Sequence, residues 1–193
     1  MPDLPPPPEW QGHPAWLRPN GVMPAVAPAA LAMIRTDEVA VAISGLRAYP
    51  NGFEFTVHAR VRHEDLPWGI SPTDPVADPR TRQASEKALR LGVLYADGRR
   101  ASTTSRYSET GEEVGGEHLT FLEVGRGGTD RQWNGDFWVH PLPPHGPVTF
   151  VASWLLYGVA ETRAEVDSSA ILEAAGRAVT LWPGEPDDTP RGE

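Results

Sequence analysis

Histidine and acidic side chains are the groups of this sequence most suited to metal binding or acid–base catalysis, and their spacing decides whether they can act together. The chain has six histidines and 26 aspartates and glutamates. A metal site needs converging ligands, commonly an i, i+2 pair on a strand or an i, i+4 pair on a helix. His58 and His63 are separated by an odd number of positions, so they face opposite sides of an extended strand. We therefore expect no metal and no other cofactor.

Nucleophilic catalysis is not indicated by any local motif. The chain contains no cysteine and no Gly-x-Ser-x-Gly motif. Ser44 lies inside a predicted strand instead of a strand-to-helix turn, and the run 102–105 predicts an exposed strand face. Two carboxylates for glycoside hydrolysis can lie far apart in sequence, so that possibility stays open. We name no catalytic residue from the sequence.

The glycine-rich stretch 125–128 is the nearest approach to a phosphate-binding loop. A dinucleotide fingerprint requires a helix directly after its glycines. Here residues 129–133 lead toward another predicted strand, so we interpret the glycines as a hairpin connection.

Charge and composition exclude several other classes of protein. The net charge of −9 disfavours nucleic-acid binding, which depends on a positive surface. No apolar stretch approaches 18 residues and no signal peptide is visible, so we expect no membrane contact and a cytoplasmic location. Arginine outnumbers lysine sixteen to one, which is typical of a high-GC bacterium.

Residues 38–63 carry the clearest structural pattern of the chain. Apolar side chains alternate with small or polar ones on both sides of a turn, which predicts two antiparallel strands. Pro50 fixes φ at about −65° and suits a type I turn, followed by Gly52 in the left-handed region. This three-residue loop places Val41 opposite Val61. The odd-numbered apolar side chains then share one buried face.

The opposite face of this hairpin is a candidate binding surface. It is predicted to carry Glu54, Thr56, His58, Arg60 and Arg62 on one strand and Ala40, Ala42, Ser44 and Leu46 on the other. Small residues beside His58, Arg60 and Arg62 predict a shallow cationic strip that holds an acidic group or a partner loop. The alternatives are an ordinary solvated sheet face and neutralisation by the five glutamates of residues 109–123.

The remaining elements are predicted to be short strands, with one helix near the end of the chain. The 21 prolines and 19 glycines disfavour long helices. Strands are expected over 89–95, 99–105, 118–124, 137–139 and 148–156, with loops over 64–86 and 106–116 and a helix from about 169 to 182, capped by Asp167 or Ser168. The pattern predicts an all-β protein: an antiparallel β-sandwich of seven or eight strands, immunoglobulin-like or related, with one C-terminal helix.

The chain divides into three parts by composition. Residues 1–20 form an arm rich in proline and tryptophan, residues 21–183 a single sandwich domain, and residues 184–193 a polar tail. Pro5 to Pro8 favour an extended polyproline II arm. Trp10 and Trp16 either cover an edge of their own domain or dock on another protein.

Two stretches resemble an uncharacterised family of proteins from high-GC actinobacteria. They are residues 41–55, with the turn AYPNGFEF, and residues 136–157, DFWVHPLPPHGPVTFVASWLLY. The resemblance extends over most of residues 9–183 and implies no particular activity, cofactor or partner.

The sequence therefore predicts a non-enzymatic cytoplasmic β-sandwich that acts as a protein-interaction or accessory module. Its predicted partner-binding residues are Trp10 and Trp16 in the arm, and His58, Arg60 and Arg62 on the strip. The alternative is a hydrolase-type enzyme whose site is assembled from distant His, Asp and Glu residues. A flat apolar patch would favour the module, and a deep pocket lined by convergent polar side chains would favour the enzyme.

Overall fold

Antiparallel strands dominate the computed structural model, which describes residue 14 and residues 16–62, 88–103, 119–129 and 131–182. Strands make up 61% of these residues and helices 9%. The predicted all-β class with one α-helix is thereby confirmed. Four segments lie outside the described residues: residues 1–13, the predicted loops 64–86 and 106–116, and the tail 184–193.

The described residues form twelve strands, one α-helix and one short 3₁₀ helix. The strands are β1 (Val22–Met23), β2 (Ala25–Val26), β3 (Leu31–Arg35), β4 (Val39–Tyr49), β5 (Gly52–Val61), β6 (Arg90–Tyr95), β7 (Arg100–Ser102), β8 (Thr120–Thr129), β9 (Gln132–His140), β10 (Pro147–Trp154), β11 (Val159–Asp167) and β12 (Val179–Thr180). The 3₁₀ helix spans Leu155–Tyr157 and the α-helix α1 spans Ser168–Ala175. No helix among these residues is long and apolar enough to cross a membrane.

The strands are arranged in three antiparallel sheets. The larger sheet has the order β2-β4-β5-β9-β8, with β3 also paired to β4. The smaller sheet has the order β11-β10-β6-β7, and β1 and β12 form a two-stranded ribbon. The 89–95 strand is confirmed as β6, and the 148–156 strand is confirmed as β10, which pairs on both sides.

Aromatic rings join the larger and smaller sheets in one core. The Phe55 ring lies 5.8 Å from that of Phe137 on the neighbouring strand and 5.0 Å, edge to face, from that of Phe150 on the smaller sheet. All three side chains are fully buried. Burying one such side chain contributes about 1.5–3 kcal/mol, so these contacts hold the two sheets together.

The predicted hairpin forms, but its predicted register is wrong. Val61 pairs with Val39 instead of Val41, which pairs with Ala59. The connection is shorter than predicted, because Tyr49 pairs with Gly52 and only two residues remain in the loop. The odd-numbered apolar side chains before the bulge described next are nevertheless buried as predicted.

A β-bulge in β4 explains the rest of the register difference. Gly45 and Leu46 together oppose the single residue Phe55, and Gly45 has a φ of 64°. Glycine suits this position because it adopts positive φ without a steric penalty. The extra residue inverts the alternation, so Leu46 is fully buried and Arg47 points outward. The predicted outward orientation of Leu46 is therefore wrong.

Gly52 is a strand residue and does not have the predicted left-handed conformation. Gly45, not Gly52, has positive φ in this hairpin. The reason for glycine at position 52 is close packing, because an added Cβ would lie 2.6 Å from Cη2 of Trp138 and would overlap the Val139 carbonyl oxygen.

The glycine-rich stretch 125–128 lies within strand β8, so its interpretation as a hairpin connection is wrong. Thr129 pairs with Gln132, which places the turn after the predicted stretch. A Cβ at Gly128 would overlap the Gln132 carbonyl oxygen and lie 3.1 Å from Cα of Trp133. Glycine here allows a close approach of the two backbones.

The predicted C-terminal helix begins as expected and ends early. Its N-cap is Asp167, whose carboxylate accepts a hydrogen bond from the Ser169 amide at 2.8 Å. The helix ends at Ala175, followed by the C-cap Gly176, and not near residue 182. The cause is tertiary, because the residues that follow pair with β1 as strand β12.

Candidate functional site

The face of the larger sheet that points away from Phe55, here called the outer face, carries a connected set of polar side chains. They stand at alternate positions of three neighbouring strands and are listed by strand: Ser44 and Arg47 on β4; Glu54, Thr56, His58 and Arg60 on β5; Asn134 and Asp136 on β9. Cross-strand pairing brings them within hydrogen-bonding reach of each other.

Three of these side chains form a hydrogen-bonded chain across the sheet, here called the Ser44–His58–Asn134 relay. The Ser44 hydroxyl oxygen lies 2.7 Å from Nε2 of His58, and Nδ1 of His58 lies 2.8 Å from Oδ1 of Asn134. His58 and Asn134 are direct cross-strand partners, whereas Ser44 is diagonal to His58. All three side chains are half-buried.

Arg60 determines the direction of each hydrogen bond in the relay. Its Nη1 lies 3.0 Å from Oδ1 of Asn134. A guanidinium can only donate, so the Asn134 atom that faces it is the amide oxygen. That oxygen can only accept, so Nδ1 of His58 carries the proton and donates it. Nε2 of the neutral imidazole is then an acceptor, and the Ser44 hydroxyl donates to it.

A buried carboxylate with several partners lies further along the same face. Glu54 is 3% exposed, and its carboxylate lies 2.8 Å from Nη1 of Arg18 and 2.7 Å from Nε of Arg47. The Tyr49 hydroxyl donates to the same carboxylate at 3.2 Å. Burial, together with the Glu54 charge, raises the pKa of Tyr49 to about 12, so the hydroxyl stays a donor at neutral pH.

Asp136 connects this charged cluster to the relay. Its carboxylate accepts a hydrogen bond from the Thr56 hydroxyl at 2.6 Å and lies 3.7 Å from Nη2 of Arg47. Thr56 is the direct cross-strand partner of Ser44. Every acid described here has a basic or hydroxyl partner, so the outer face is a polar network and not a cationic strip.

The chain's own N-terminal segment covers one end of the outer face. Trp138 is fully buried there beside Val22, and its indole Nε1 donates to the Trp16 carbonyl oxygen at 2.8 Å. The Asn51 side chain donates to the Leu17 carbonyl oxygen at 2.9 Å. The relay lies beyond this cover, on the part of the face that solvent reaches.

The structure places the sequence-predicted binding residues in different surroundings. Trp10 lies outside the described residues, and Trp16 is half-buried against its own domain. His58 belongs to the relay, and Arg60 donates to the carbonyl oxygens of Ala59 and Trp133 as well as to Asn134. Arg62 is exposed at the end of β5.

Sequence reasoning missed the two residues that organise the outer face. The sequence pattern does not indicate Asn134, because it predicts a strand only over 137–139, whereas β9 begins at Gln132. Glu54 was placed on the solvated side, yet it is buried under the N-terminal segment. The alternation of polar side chains at 132, 134 and 136 is a signal that would have extended the strand.

A second candidate surface lies on the β1–β12 ribbon. Among the described residues, seven large apolar side chains are exposed: Met23, Val26, Val124, Leu155, Val179, Leu181 and Trp182. Five of these lie on the ribbon or within three residues of it, and we call them the ribbon patch: Met23, Val26, Val179, Leu181 and Trp182. Met23 and Val179 are direct cross-strand partners, 58% and 59% exposed, so they lie on one face.

In the part of the chain that the structure describes, no group of three His, Asp or Glu side chains is placed to hold a metal ion. Comparisons with known proteins found no matching family, curated protein or solved structure. The functional interpretation therefore depends on the geometry of the relay and the ribbon patch.

Proposed function

We propose that this protein is a cytoplasmic protein-interaction module that docks a partner through the ribbon patch. The observation that carries the proposal is the concentration of exposed apolar side chains on one two-stranded ribbon and the residues next to it. Exposed apolar surface costs free energy in water, and clusters of it are typical of protein-binding surfaces. Trp182 and Met23 are of the residue types that are enriched at the centres of such interfaces.

The chemistry of the partner follows from charge. A net charge of −9 opposes association of two copies of this chain, because like charges repel. We therefore assign the ribbon patch to a different protein, one that presents apolar side chains surrounded by basic ones. Such a partner gains both apolar burial and electrostatic attraction during encounter.

The N-terminal arm is part of the same proposal. Residues 16–18, the described end of the arm, contact the domain four positions before β1 and beside the ribbon residue Val22. An extended proline-rich segment loses little conformational entropy on binding. The arm thus extends the proposed docking surface beyond the ribbon patch.

For the fold, we propose an immunoglobulin-like β-sandwich or a close relative. The contact between Phe55 and Phe150, which belong to different sheets, supports two layers with one core. Eight of the strands have five or more residues. Loops and edges of sandwich domains commonly carry binding surfaces, in agreement with the proposed role.

Site-specific photo-crosslinking in the cells that produce the protein tests the interaction. A photoreactive amino acid replaces Val179 in the ribbon patch. As a matched control it replaces Leu155, which lies outside the patch and has a similar exposed fraction of 54%. We expect a covalent adduct with one basic-surfaced protein at position 179 only. That protein, once purified, should bind Val179→Ser about tenfold more weakly than the wild type, and Leu155→Ser equally well.

Two results would contradict the proposal. One is crosslinking at position 179 that does not exceed crosslinking at position 155. The other is an identified partner whose affinity is the same for wild type and Val179→Ser. A concentration-dependent dimer of the pure protein that Val179→Ser abolishes would replace the assigned partner by a second copy.

A further inference from the structure

We infer that the Ser44–His58–Asn134 relay is a nucleophilic centre that hydrolyses small carboxylic esters. The inference is independent of the ribbon patch and assigns a second activity to the domain. The relay has the three parts that serine-dependent acyl transfer needs: a hydroxyl, a base within hydrogen-bonding distance of it, and a third group that orients the base.

The orientation of His58 is the first argument. The single acceptor at its Nδ1, the Asn134 oxygen, is itself held in place by a hydrogen bond from Arg60 at 3.0 Å. The Nδ1 proton therefore points to Asn134 and the Nε2 lone pair to Ser44, at 2.7 Å. This is the tautomer required of a general base.

Space over the relay is the second argument. Gly127 is the cross-strand partner of Asn134 on the far side, and a Cβ added to it would meet nothing within 4 Å. Ala42 is the partner of His58 on the near side. These small residues leave the half-buried relay open to a small, flat substrate, which favours short acyl groups.

The reaction follows from these positions. Ser44 Oγ attacks the ester carbonyl carbon, and the hydroxyl proton moves to Nε2 of His58. The tetrahedral oxyanion collapses, the carbon–oxygen bond of the alcohol breaks, and Nε2 returns the proton to the departing alkoxide. Water then attacks the acyl-serine, again losing a proton to Nε2. The bond to Oγ breaks, the proton passes to Oγ, and a carboxylic acid leaves.

Arg47 supplies charge beside the reaction. It is the next outward-facing side chain after Ser44 on β4, because the bulge places Gly45 and Leu46 between them. Its side chain is 37% exposed and reaches toward Asp136, which stands in the same cross-strand row as Ser44 and Thr56. Arg47 is also paired with Glu54 at 2.7 Å, and the positive end of this ion pair favours the oxyanion over the neutral carbonyl.

A fluorophosphonate reagent tests the nucleophile on the full chain, because it phosphonylates activated serines and leaves ordinary ones unmodified. Intact-mass and peptide mass spectrometry should find one adduct, on Ser44. Ser44→Ala should lose it, whereas the control Ser169→Ala, at an exposed helical serine, should keep it. His58→Phe should slow labelling about 100-fold, the usual contribution of a general base.

The positioning role of Asn134 has its own test. Asn134→Leu removes the acceptor and should slow both labelling and hydrolysis of p-nitrophenyl acetate about 100-fold. Asn134→Asp keeps an acceptor for both His58 and Arg60 and should restore most of the rate. If Asn134 had only a structural role, Asn134→Leu and Asn134→Asp would differ in melting temperature. Their labelling rates would then be equal at a temperature where both variants are folded.

Three results would overturn the inference. They are a wild-type chain that takes no label, a label on another residue, and labelling that is unchanged in Ser44→Ala or His58→Phe. Circular dichroism of each variant confirms that the compared chains are folded. None of these results depends on whether the ribbon patch binds a partner.

Discussion

One hydrogen bond at Nδ1 sets the tautomer of each of two histidines, His58 and His140. His58 donates to Asn134, and His140 donates to the Asn51 carbonyl oxygen at 2.7 Å. The two differ in what surrounds Nε2, which faces Ser44 only in His58. The same atom, Nδ1, thus donates within a polar relay in His58 and to a loop carbonyl in His140.

The surroundings of His140 predict a pH dependence of stability. Burial lowers the pKa of His140, and the bond to the Asn51 carbonyl opposes this only in part. Because the folded pKa lies below the unfolded value of about 6.5, the unfolded chain binds more protons between the two. This contribution to stability is complete above about pH 6.5 and is lost as pH falls below it.

His140→Asn should reduce that loss, because asparagine keeps a donor near the Nδ1 position and has no titratable group. Urea unfolding at pH 7.5 and pH 5.5 measures the free energy of unfolding for each chain. We expect the difference between the two pH values to be smaller in His140→Asn than in wild type. The exposed His145 provides the control, and an equal change in His145→Asn would contradict the prediction.

At the scale of elements, the β8–β9 pair requires glycine at one position and not at another. Gly135 lies under the indole of Trp133, and an added Cβ would lie 2.5 Å from Cζ2 of that ring. Trp133 is 1% exposed and has no room to move away. Gly127, on the adjacent strand, faces open space. The same residue type is thus a packing requirement at one position and replaceable at the other.

This contrast predicts different effects on stability for the same glycine-to-alanine substitution at the two positions. Gly135→Ala should destabilise the domain by about 1–3 kcal/mol, the usual cost of overpacking a rigid core. Gly127→Ala should change stability by less than about 0.5 kcal/mol, as expected for an open surface position. Chemical unfolding of both variants checks this, and equal free energies of unfolding would show that the indole accommodates the methyl group.

The physical limits of sequence reasoning are visible at the same scale. Alternation identified β4 and β5 and their buried face, because burial on one side imposes period two on any strand. It did not find β11, whose partly buried residues lie among exposed charged ones in VAETRAEVD. It also placed the helix end too late, since the pairing of Val179 with Met23 depends on a segment 156 positions away.

The candidate site was even less accessible from the sequence. The sequence pattern predicts His58 and Ser44 on one face, but it does not indicate Asn134, whose strand and register it leaves open. Register errors of a single residue exchange the faces of a strand. A relay across three strands therefore becomes visible only when every register is known.

For the whole molecule, the N-terminal segment is a structural part of the domain as well as the start of the proposed docking arm. Trp16 accepts a hydrogen bond from Trp138 of the larger sheet, Leu17 accepts one from Asn51 in the β4–β5 loop, and Arg18 pairs with the buried Glu54. A buried carboxylate that loses a cationic partner is costly, because its remaining charge is poorly solvated. The predicted division between arm and domain at residue 20 thus separates groups that are in contact.

Two truncations measure the contribution of these contacts. Removal of residues 1–18 should lower the free energy of unfolding by at least about 2 kcal/mol more than removal of residues 1–13. The reason is that only the longer truncation leaves the Trp138 indole N–H without its acceptor and Glu54 without Arg18. Equal stabilities of the two truncated chains would show that residues 14–18 rest on the domain without stabilising it.

The bulge at Gly45 has a consequence for how this chain tolerates change over evolutionary time. Before it, β4 keeps apolar side chains at odd positions, and after it Leu46 and Ala48 continue the same core at even positions. The strand therefore contains two alternating hydrophobic patterns, which are out of phase with each other and meet at one glycine. Loss of that single codon would bring both into phase, so Leu46 and Ala48 would stay on the buried face of a regular strand that has no bulge.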